Sequence, residues 1–214
     1  MTDHEVRYFG RKRGKSFQRL EPFEKFLDIP SKKIFTEMKK VPKVLEIGIG
    51  DGIKISEDAK NNNKYIYIGC DIFIDGVLRA TKFKLENKLD NLFIFHLNVQ
   101  SLIKLFDNNF LQETRIFFPD PWPKNKHKNR RTFNSNLLKQ LSSKMRKNSI
   151  LKFSTDHADY FLDAMILSSK YGFKSYNNTP NMWQYSAFNA TGTKYEKKAL
   201  DKNNKLFYFS VLKY

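Results

Sequence analysis

Five short apolar runs, each followed by a segment of helical character, constrain the fold of this chain more than any other feature. The runs are KVLEIG, YIYIGCD, LFIFHL, RIFF and SILKFS, which begin at residues 43, 65, 92, 115 and 149. The helical segments lie near residues 53–60, 74–88, 100–107, 131–146 and 157–170. Uninterrupted apolar runs are typical of parallel strands buried on both faces, and helical crossovers join such strands. The pattern therefore predicts a doubly wound α/β fold with a mostly parallel sheet.

The two ends of the chain differ from this alternating region. Residues 1–20 are rich in Lys and Arg, and Gly10 and Gly14 disfavour a long helix there, so they are predicted to form a basic arm, with a solvated tail as the alternative. Near the other end, KSYNNT and KLFYFSVLKY alternate like antiparallel strands and should complete one edge of the sheet. We predict a single domain over residues 21–214 behind the basic arm.

The balance of charge indicates a polyanionic partner, such as nucleic acid or a membrane surface. The chain has 39 Lys and Arg against 22 Asp and Glu, a formal net charge of +17. No apolar run approaches the ~18 residues of a spanning helix, and the first residues lack the apolar core of a secretory signal. A single cysteine, Cys70, excludes an intramolecular disulfide and a cysteine-based zinc site. We expect a cytoplasmic protein without a metal or a membrane anchor.

The first strand ends in the glycine loop, residues 46–52, which reads EIGIGDG. Gly48 and Gly50 allow the backbone to approach a ligand where the next helix begins. The third glycine of the dinucleotide fingerprint is absent, because Ile53 stands in its place. Glu46 would repel a pyrophosphate but suits the ammonium and sulfonium of S-adenosylmethionine. We therefore predict that Glu46, Gly48 and Gly50 bind this cofactor; a Glu46 that simply faces water is the alternative.

Two polar residues follow the next two strands. Asp71 stands 23 residues after Gly48, where a carboxylate can accept hydrogen bonds from both ribose hydroxyls. Asn98 could accept from the exocyclic amine of adenine, or could be an ordinary loop asparagine. An acid at the Asp71 position also serves nicotinamide dinucleotides, so it indicates an adenosine-containing cofactor without choosing between the two. The glycine spacing and Glu46 favour S-adenosylmethionine.

Residues 117–131 read FFPDPWPKNKHKNRR. Each proline restricts the residue before it, so we expect Phe118, Asp120 and Trp122 to be extended and to form a stiff tip. Asp120 could accept from ring or amine N–H groups, and Trp122 could stack on a base or pack in the core. The residues that follow are expected to grip phosphates. They are Lys124, Lys126, His127, Lys128, Arg130 and Arg131.

Two later motifs also carry candidate residues. In STDHADYF, Asp156 lies at a helix start, where it could cap the helix or accept hydrogen bonds from a bound base. In TGTKYE, the four residues after Gly192 could close over cofactor and base, or form an ordinary helix start with a threonine cap.

The segment FPDPWPKNKHKNRR resembles the hallmark of the bacterial single-chain tRNA (guanine-N7-)-methyltransferases. The motifs VRYFGRKRGK, VLEIGIGDG, YIGCDIF, FSTDHADY and TGTKYE agree in order, so the resemblance extends from residue 6 to about 196. It implies a Rossmann-like class I methyltransferase fold. It also implies transfer of a methyl group from S-adenosylmethionine to N7 of a guanine in the variable loop of tRNA, which forms 7-methylguanosine.

The resemblance assigns roles to individual residues as well. It places S-adenosylmethionine against Glu46, Asp71, Asn98 and Asp120. It implies that the tRNA substrate binds at Lys124, Asp156, Thr193, Lys194, Tyr195 and Glu196. It implies RNA contacts along Lys126, His127, Lys128, Asn129, Arg130 and Arg131. The family most often has Asp where this chain has Asn98, and more often has Lys where it has Asn129.

Methylation at guanine N7 needs no general base, because N7 is a neutral lone-pair acceptor. It needs alignment of the reacting atoms and carboxylates that suit a cationic product. Asp120 is therefore the candidate catalytic residue, and His127 and His157 are dispensable in this chemistry. Three alternatives stay open: a methyltransferase for another RNA site or a protein, a nicotinamide oxidoreductase, and a non-catalytic RNA-binding relative. The sequence leaves the choice between monomer and homodimer open too.

Overall fold

A computed structural model describes residues 17–175 and 191–214. Within these ranges the strands are β1 Lys43–Ile47, β2 Ile66–Asp71, β3 Leu92–His96, β4 Leu111–Phe117, β5 Met145–Thr155, β6 Phe173–Ser175 and β7 Phe207–Lys213. The α-helices are α1 Phe17–Leu20, α2 Lys32–Glu37, α3 Ile53–Asn61, α4 Ile74–Glu86, α5 Val99–Ile103, α6 Ser135–Lys144, α7 Ala158–Lys170 and α8 Lys194–Asp201. Short 3-10 helices span Glu21–Phe26 and Asn125–Arg130.

The strands of the described residues form one sheet in the order β3-β2-β1-β4-β5-β7-β6. All neighbouring pairs among the strands β1, β2, β3, β4 and β5 are parallel. Strand β7 runs antiparallel to both β5 and β6. The chain order reverses direction at β1, so the carboxyl ends of β1, β2 and β4 meet at a switch point. The predicted fold, a doubly wound sheet with an antiparallel C-terminal edge, is confirmed.

The two faces of the sheet pack against different helices. On one face Leu45 and Ile68 join a large core with Leu102 of α5, Leu137 of α6 and Tyr160 of α7. On the other face Val44 and Tyr67 pack with Ile55 of α3 and Val77 of α4. Because side chains alternate along a strand, Glu46 shares the α3 face with Val44. None of the helices in the described ranges is long and apolar enough to cross a membrane.

The strands β4 and β5 each begin four residues before the predicted runs RIFF and SILKFS. The first half of β4 contains Glu113, which interrupts the run of apolar residues, so the sequence pattern did not predict this part of the strand. In the sheet, the charge of Glu113 is paired with Arg115 and Lys152. The predicted helix over residues 131–146 is shorter, because Asn134 caps α6 through a hydrogen bond from the Leu137 N–H and β5 begins at Met145.

The structure describes only part of the basic arm and of the predicted KSYNNT strand. Residues 1–16 lie outside the described residues, and with them the VRYFGRKRGK motif. Leu20, which we assigned to the arm, is buried against Ile74 and Leu78 of α4. Of KSYNNT only Lys174 and Ser175 are described, and they form the end of β6; the rest lies outside the described ranges.

Candidate functional site

A cavity of about 500 Å³ opens at the carboxyl ends of the parallel strands, the edge where doubly wound sheets bind ligands. Its size falls in the range of small-molecule sites. Loops after β1, β2, β3 and β4 and the first turn of α8 all contribute to its wall. The predicted site residues that line it are Gly48, Gly50, Asp71, Asn98, Asp120, Asn129, Arg130, Arg131 and Tyr195.

Asp71 is tied directly to the glycine loop. Its Oδ2 accepts a hydrogen bond from the Gly50 N–H at 2.8 Å, and its Oδ1 accepts from the Phe73 N–H at 2.8 Å. A carboxylate has about four lone-pair sites, and the N–H groups of Phe73, Gly50 and Ile72 are directed at this one, so it can still accept from a ribose hydroxyl. Burial raises the pKa of Asp71, the N–H bonds from Phe73 and Gly50 oppose that rise, and the negative charge of Asp120 adds to it. The two acids therefore interact across one cavity.

The glycine loop also depends on a residue that the sequence analysis overlooked. A Cβ atom at Gly76 would lie 1.6 Å from the carbonyl oxygen of Gly50. Helix α4 thus packs its backbone directly against the loop, which is possible only with glycine at this position. A lone glycine inside a helical segment was the available signal.

Glu46 lies beneath the loop and is not part of the cavity wall. Its side chain is 3% exposed on the α3 face of the sheet, and its Oε2 is 3.7 Å from Nη1 of Arg115. Arg115 also pairs with Asp58 and Glu113. Burial raises the pKa of Glu46 to about 7, and the charges of Arg115 and Lys54 only partly oppose this. The negative charge that Glu46 can carry therefore lies behind the cavity wall, and a direct contact with the cofactor stays a prediction.

This environment predicts a pH-dependent stability. The unfolded chain ionises Glu46 near pH 4.5 and the folded protein only near pH 7, so between these values the folded state binds the extra proton and stability falls as pH rises. We expect the free energy of unfolding of the wild type to fall by roughly 2–3 kcal/mol between pH 5 and pH 8, and we expect Glu46→Gln to abolish this fall. Urea unfolding at both pH values measures it, with Glu57→Gln on the exposed side of α3 as the matched control. Parallel pH dependences for wild type and Glu46→Gln would contradict this assignment.

Asn98 lines the cavity, but its side-chain oxygen is already engaged. Oδ1 accepts from the Ser101 N–H at 2.8 Å and caps α5. Asn and Asp are about equally good caps, so the departure from the family's usual Asp leaves this structural role intact. One lone pair of Oδ1 remains for an adenine amine, and that contact stays a prediction.

The proline-rich tip, residues 118–123, differs from the extended conformation that we expected. Phe118 has φ of 47° and Trp122 has φ of 41°, so both are in the left-handed region, and that part of the prediction is wrong. Such a conformation for a bulky side chain costs about 1–3 kcal/mol and persists only where the surroundings impose it. Asp120 is exposed at the cavity, and Trp122 lines it at half burial. The tip is therefore strained as well as stiff.

The basic segment, residues 124–131, divides into two groups. Lys124, Lys126 and Arg130 are exposed, and the guanidinium of Arg130 lies 5.0 Å from the ring centre of Trp122. In contrast, Lys128 lies 3.4 Å and 3.5 Å from carboxylates of α7, and the side chain of Arg131 is 3% exposed. His127 packs edge-on against Trp122, with ring centres 5.9 Å apart. Arg131 thus does not have the solvent-facing position expected of a phosphate ligand.

The later motifs are only partly in the cavity. Asp156 accepts from Nδ2 of Asn204 at 3.3 Å and is outside the wall. Thr193 caps α8 through a hydrogen bond from the Glu196 N–H, as the structural alternative predicted. Lys194 is exposed, and Tyr195 reaches the cavity, where its Cε2 would lie 3.5 Å from a Cβ at Gly50.

Glu196 is 2% exposed, and its carboxylate accepts three hydrogen bonds from the protein. Its carboxylate accepts from the N–H groups of Thr191 and Gly192 at 2.8 Å and 2.7 Å, and from the hydroxyl of Tyr208 at 2.7 Å. These bonds hold the turn that places Tyr195 over the glycine loop. A direct contact between Glu196 and substrate stays a prediction.

Several cavity residues were not singled out from the sequence. They are Ile72, Phe73, Gln100, Thr132 and Asn134. Ile72 and Phe73 stand in the YIGCDIF motif directly after Asp71, so their place at the end of β2 was an available signal. Gln100 in α5 and the two residues before α6 gave no such signal.

Comparison with known proteins agrees with this architecture. A family described as "Putative methyltransferase" matches residues 40–209. A bifunctional methyltransferase of Rickettsia prowazekii is 33% identical over 92% of this chain and 38% of its own length. A tRNA (guanine-N(7)-)-methyltransferase of Wolbachia pipientis is 31% identical over 84% of this chain and 77% of its own length. A solved antibiotic-related methyltransferase superposes with a TM-score of 0.62 at 22% identity, over 86% of this chain and 94% of that one, which supports the fold.

The chain spans well under half the length of the bifunctional Rickettsia relatives that it matches. Nevertheless, the matched residues run from just before β1 into β7 and include every strand that borders the cavity. On the strength of that match, the chain belongs to this methyltransferase family.

Proposed function

We propose that this protein transfers a methyl group from S-adenosylmethionine to N7 of a guanine in the variable loop of tRNA. The observation that carries the proposal is that Asp120 of the proline-rich tip lines the same cavity as Asp71 and the glycine loop. A methyl donor held by the loop and a base held by the tip would therefore share one enclosed space. The name of the Wolbachia relative supports the choice of substrate.

The residues of the cavity fit S-adenosylmethionine, which when bound supplies an electrophilic methyl group on a sulfonium. The Asp71 carboxylate keeps acceptor capacity for a ribose hydroxyl beside the bonds from Gly50 and Phe73. Ile72 offers apolar surface beside it for the adenine. Asp71 and Asp120 place negative charge around a cationic ligand, and Glu46 can add to that field from below the loop.

The tip supplies what a guanine acceptor needs. The carboxylate of Asp120 can accept from guanine N1–H and the N2 amine, a donor pair that adenine lacks. Because N7 attacks with a neutral lone pair, no proton has to be removed before transfer. As the base becomes cationic, the carboxylate of Asp120 stabilises the developing charge. Trp122 and Arg130, stacked on one another, offer flat faces next to this position.

Two exposed groups of cations border the cavity and fit the backbone of an RNA. One consists of Lys124, Lys126 and Arg130 in the basic segment. The other lies on α8, which begins at the cavity with Tyr195 and exposes Lys194, Lys197 and Lys198. Within the described part of the chain, none of these three α8 lysines lies within ion-pair distance of a carboxylate. Exposed positive charges can contact phosphates, and their contribution to binding should fall with salt.

The test of the proposal is a methyl-transfer reaction with tRNA that lacks the modification. Purified protein, labelled S-adenosylmethionine and this tRNA are incubated, and borohydride–aniline cleavage then maps any 7-methylguanosine. We expect label in tRNA and cleavage at a single guanine in the variable loop. Label at another base or in protein would favour a different acceptor, and tight tRNA binding without label would favour a non-catalytic relative.

The exposed cations of the basic segment lead to a binding prediction. We expect Lys126→Glu with Arg130→Glu to weaken tRNA binding by about tenfold per residue at low salt, and to reduce the slope of log K against log salt by about 0.9 per lost contact. Filter binding over a salt series measures both. Lys40→Glu is the matched control, because Lys40 is exposed just before β1, at the opposite edge of the sheet. An equal loss of affinity for S-adenosylmethionine would contradict the separate roles of cavity and surface.

A further inference from the structure

Arg131 is the buried member of an otherwise exposed basic segment, and all three of its guanidinium nitrogens are used. Nε donates to the carbonyl oxygen of Pro121 at 2.8 Å. Nη1 donates to Oδ2 of Asp163 at 2.6 Å, and Nη2 donates to Oδ2 of Asp159 at 2.6 Å. The guanidinium also lies 4.4 Å from the ring centre of Tyr160. One side chain thus joins the tip to helix α7.

The partners of Arg131 form a built receptor for a planar cation. Asp159 and Asp163 are four residues apart on α7, so their carboxylates lie on one face of the helix. Between them in sequence, Tyr160 is fully buried and its hydroxyl accepts from the Phe133 N–H at 2.9 Å. A guanidinium can satisfy two carboxylates, a carbonyl and a ring face at once, whereas a lysine ammonium cannot match that geometry.

The contact falls where the backbone of the tip is strained. The carbonyl of Pro121 belongs to the peptide bond that leads into Trp122, whose φ is 41°. Asp120 is the residue just before Pro121. Left-handed conformations of bulky residues relax unless their surroundings hold them. The bond from Arg131 anchors the peptide between Asp120 and Trp122, and α7 in turn anchors Arg131.

We propose that Arg131, held by Asp159 and Asp163, is a positioning residue that sets Asp120 in the cavity, and that it is not a phosphate ligand. This inference rests on the proposed function, because Asp120 is taken as the residue that meets the base. It assigns a role in methyl transfer to two acids of α7 that lie outside the cavity wall.

The two roles predict opposite results for the same substitutions. If Arg131 positions the tip, Arg131→Gln should lower kcat by about 10- to 100-fold, since small misplacements of a reacting group have effects of that size. The KM for tRNA and the salt slope of binding should stay near wild-type values. If Arg131 binds a phosphate, the slope should fall by about 0.9 and the affinity should fall with it. Arg130→Gln, at the exposed neighbour, is the matched control and should show that second pattern.

A double variant tests the acids while leaving Arg131 in place. We expect Asp159→Asn with Asp163→Asn to lower kcat by a similar factor without weakening tRNA binding. A phosphate-binding Arg131 predicts the reverse, tighter binding and undiminished kcat, because two negative charges are removed beside the RNA surface. Arg131→Lys should have a kcat above that of Arg131→Gln but below that of the wild type.

A structural readout keeps this test independent of catalysis. With 5-fluorotryptophan incorporated, the ¹⁹F resonance of Trp122 is assigned by its loss in Trp122→Phe. We expect it to shift or broaden in Arg131→Gln and in the double variant, at temperatures where circular dichroism shows folded protein. An unchanged Trp122 resonance together with unchanged kcat would overturn the inference. If wild-type protein makes no 7-methylguanosine, the proposed function fails, and the resonance still decides whether Arg131 holds the tip.

Discussion

Asp120→Ala is expected to lower the rate of methyl transfer by about 10²- to 10³-fold while the protein stays folded. The effect is of the size found when one preorganised electrostatic group is removed from an active site. Asp120 is exposed in the cavity and its neighbours in the tip do not depend on its side chain for packing, so the fold should not change. Single-turnover kinetics with saturating tRNA and S-adenosylmethionine measure the chemical step directly.

The matched variant is Asp120→Asn, which keeps the size and one acceptor oxygen but removes the charge. We expect it to lie between wild type and Asp120→Ala. Binding of S-adenosylmethionine should change less than tenfold, because removal of Asp120 also relieves its repulsion of Asp71. By comparison, the main effect of Asp71→Ala should be a loss of affinity for S-adenosylmethionine. A folded Asp120→Ala protein with near-normal single-turnover rates would show that the tip does not meet the base.

Gly76→Ala is expected to destabilise the protein by about 3 kcal/mol. It is also expected to abolish binding of S-adenosylmethionine. The new methyl group would overlap the Gly50 carbonyl oxygen at 1.6 Å, so either α4 or the glycine loop must move. Overpacking of this kind typically costs about 1–3 kcal/mol, and a backbone obstacle places this case at the upper end. At an open helical position the same change would stabilise the protein by roughly 1 kcal/mol, so the sign alone is informative.

Urea unfolding and cofactor titration test the Gly76 prediction. Lys82→Ala on α4 is the control, since it removes a partly exposed ion pair with Glu86 and a contact 5.9 Å from the ring centre of Phe23, and should change stability by about 0.5 kcal/mol or less. If Gly76→Ala folds with wild-type stability and binds the cofactor, α4 and the glycine loop cannot be in contact as described.

Four of the predicted site residues that line the cavity lie at or shortly after the end of a strand. Gly48, Asn98 and Asp120 come within three residues after β1, β3 and β4, and Asp71 is the last residue of β2. Parallel strands must end at one edge of the sheet, so strand ends alone were enough to bring them together. The same logic could not predict the partners of a side chain within a strand, and the burial of Glu46 beside Arg115 was therefore not foreseen.

Arg131 and Glu196 have partners in the folded protein that the sequence did not reveal. Arg131 was read as one more cation in a basic run, and its burial depends on Asp159 and Asp163, some thirty residues along the chain. Glu196 was read as a substrate ligand, and its carboxylate is engaged by its own turn and by Tyr208 on β7. Composition and spacing count charges, but they do not show which charges the folded protein pairs internally.

The sequence by itself determined the fold class, a doubly wound and mostly parallel sheet. It also determined which edge of the sheet carries the candidate ligand site and which acids gather there. These follow from local rules, the period of apolar residues and the restrictions on glycine and proline. The tertiary structure alone decided which cations of the basic segment are buried or paired with carboxylates, that Glu46 lies beneath the glycine loop, and that the tip is held in a strained shape. Those outcomes depend on contacts between segments far apart in the chain, where burial and pairing set the energy of each charge.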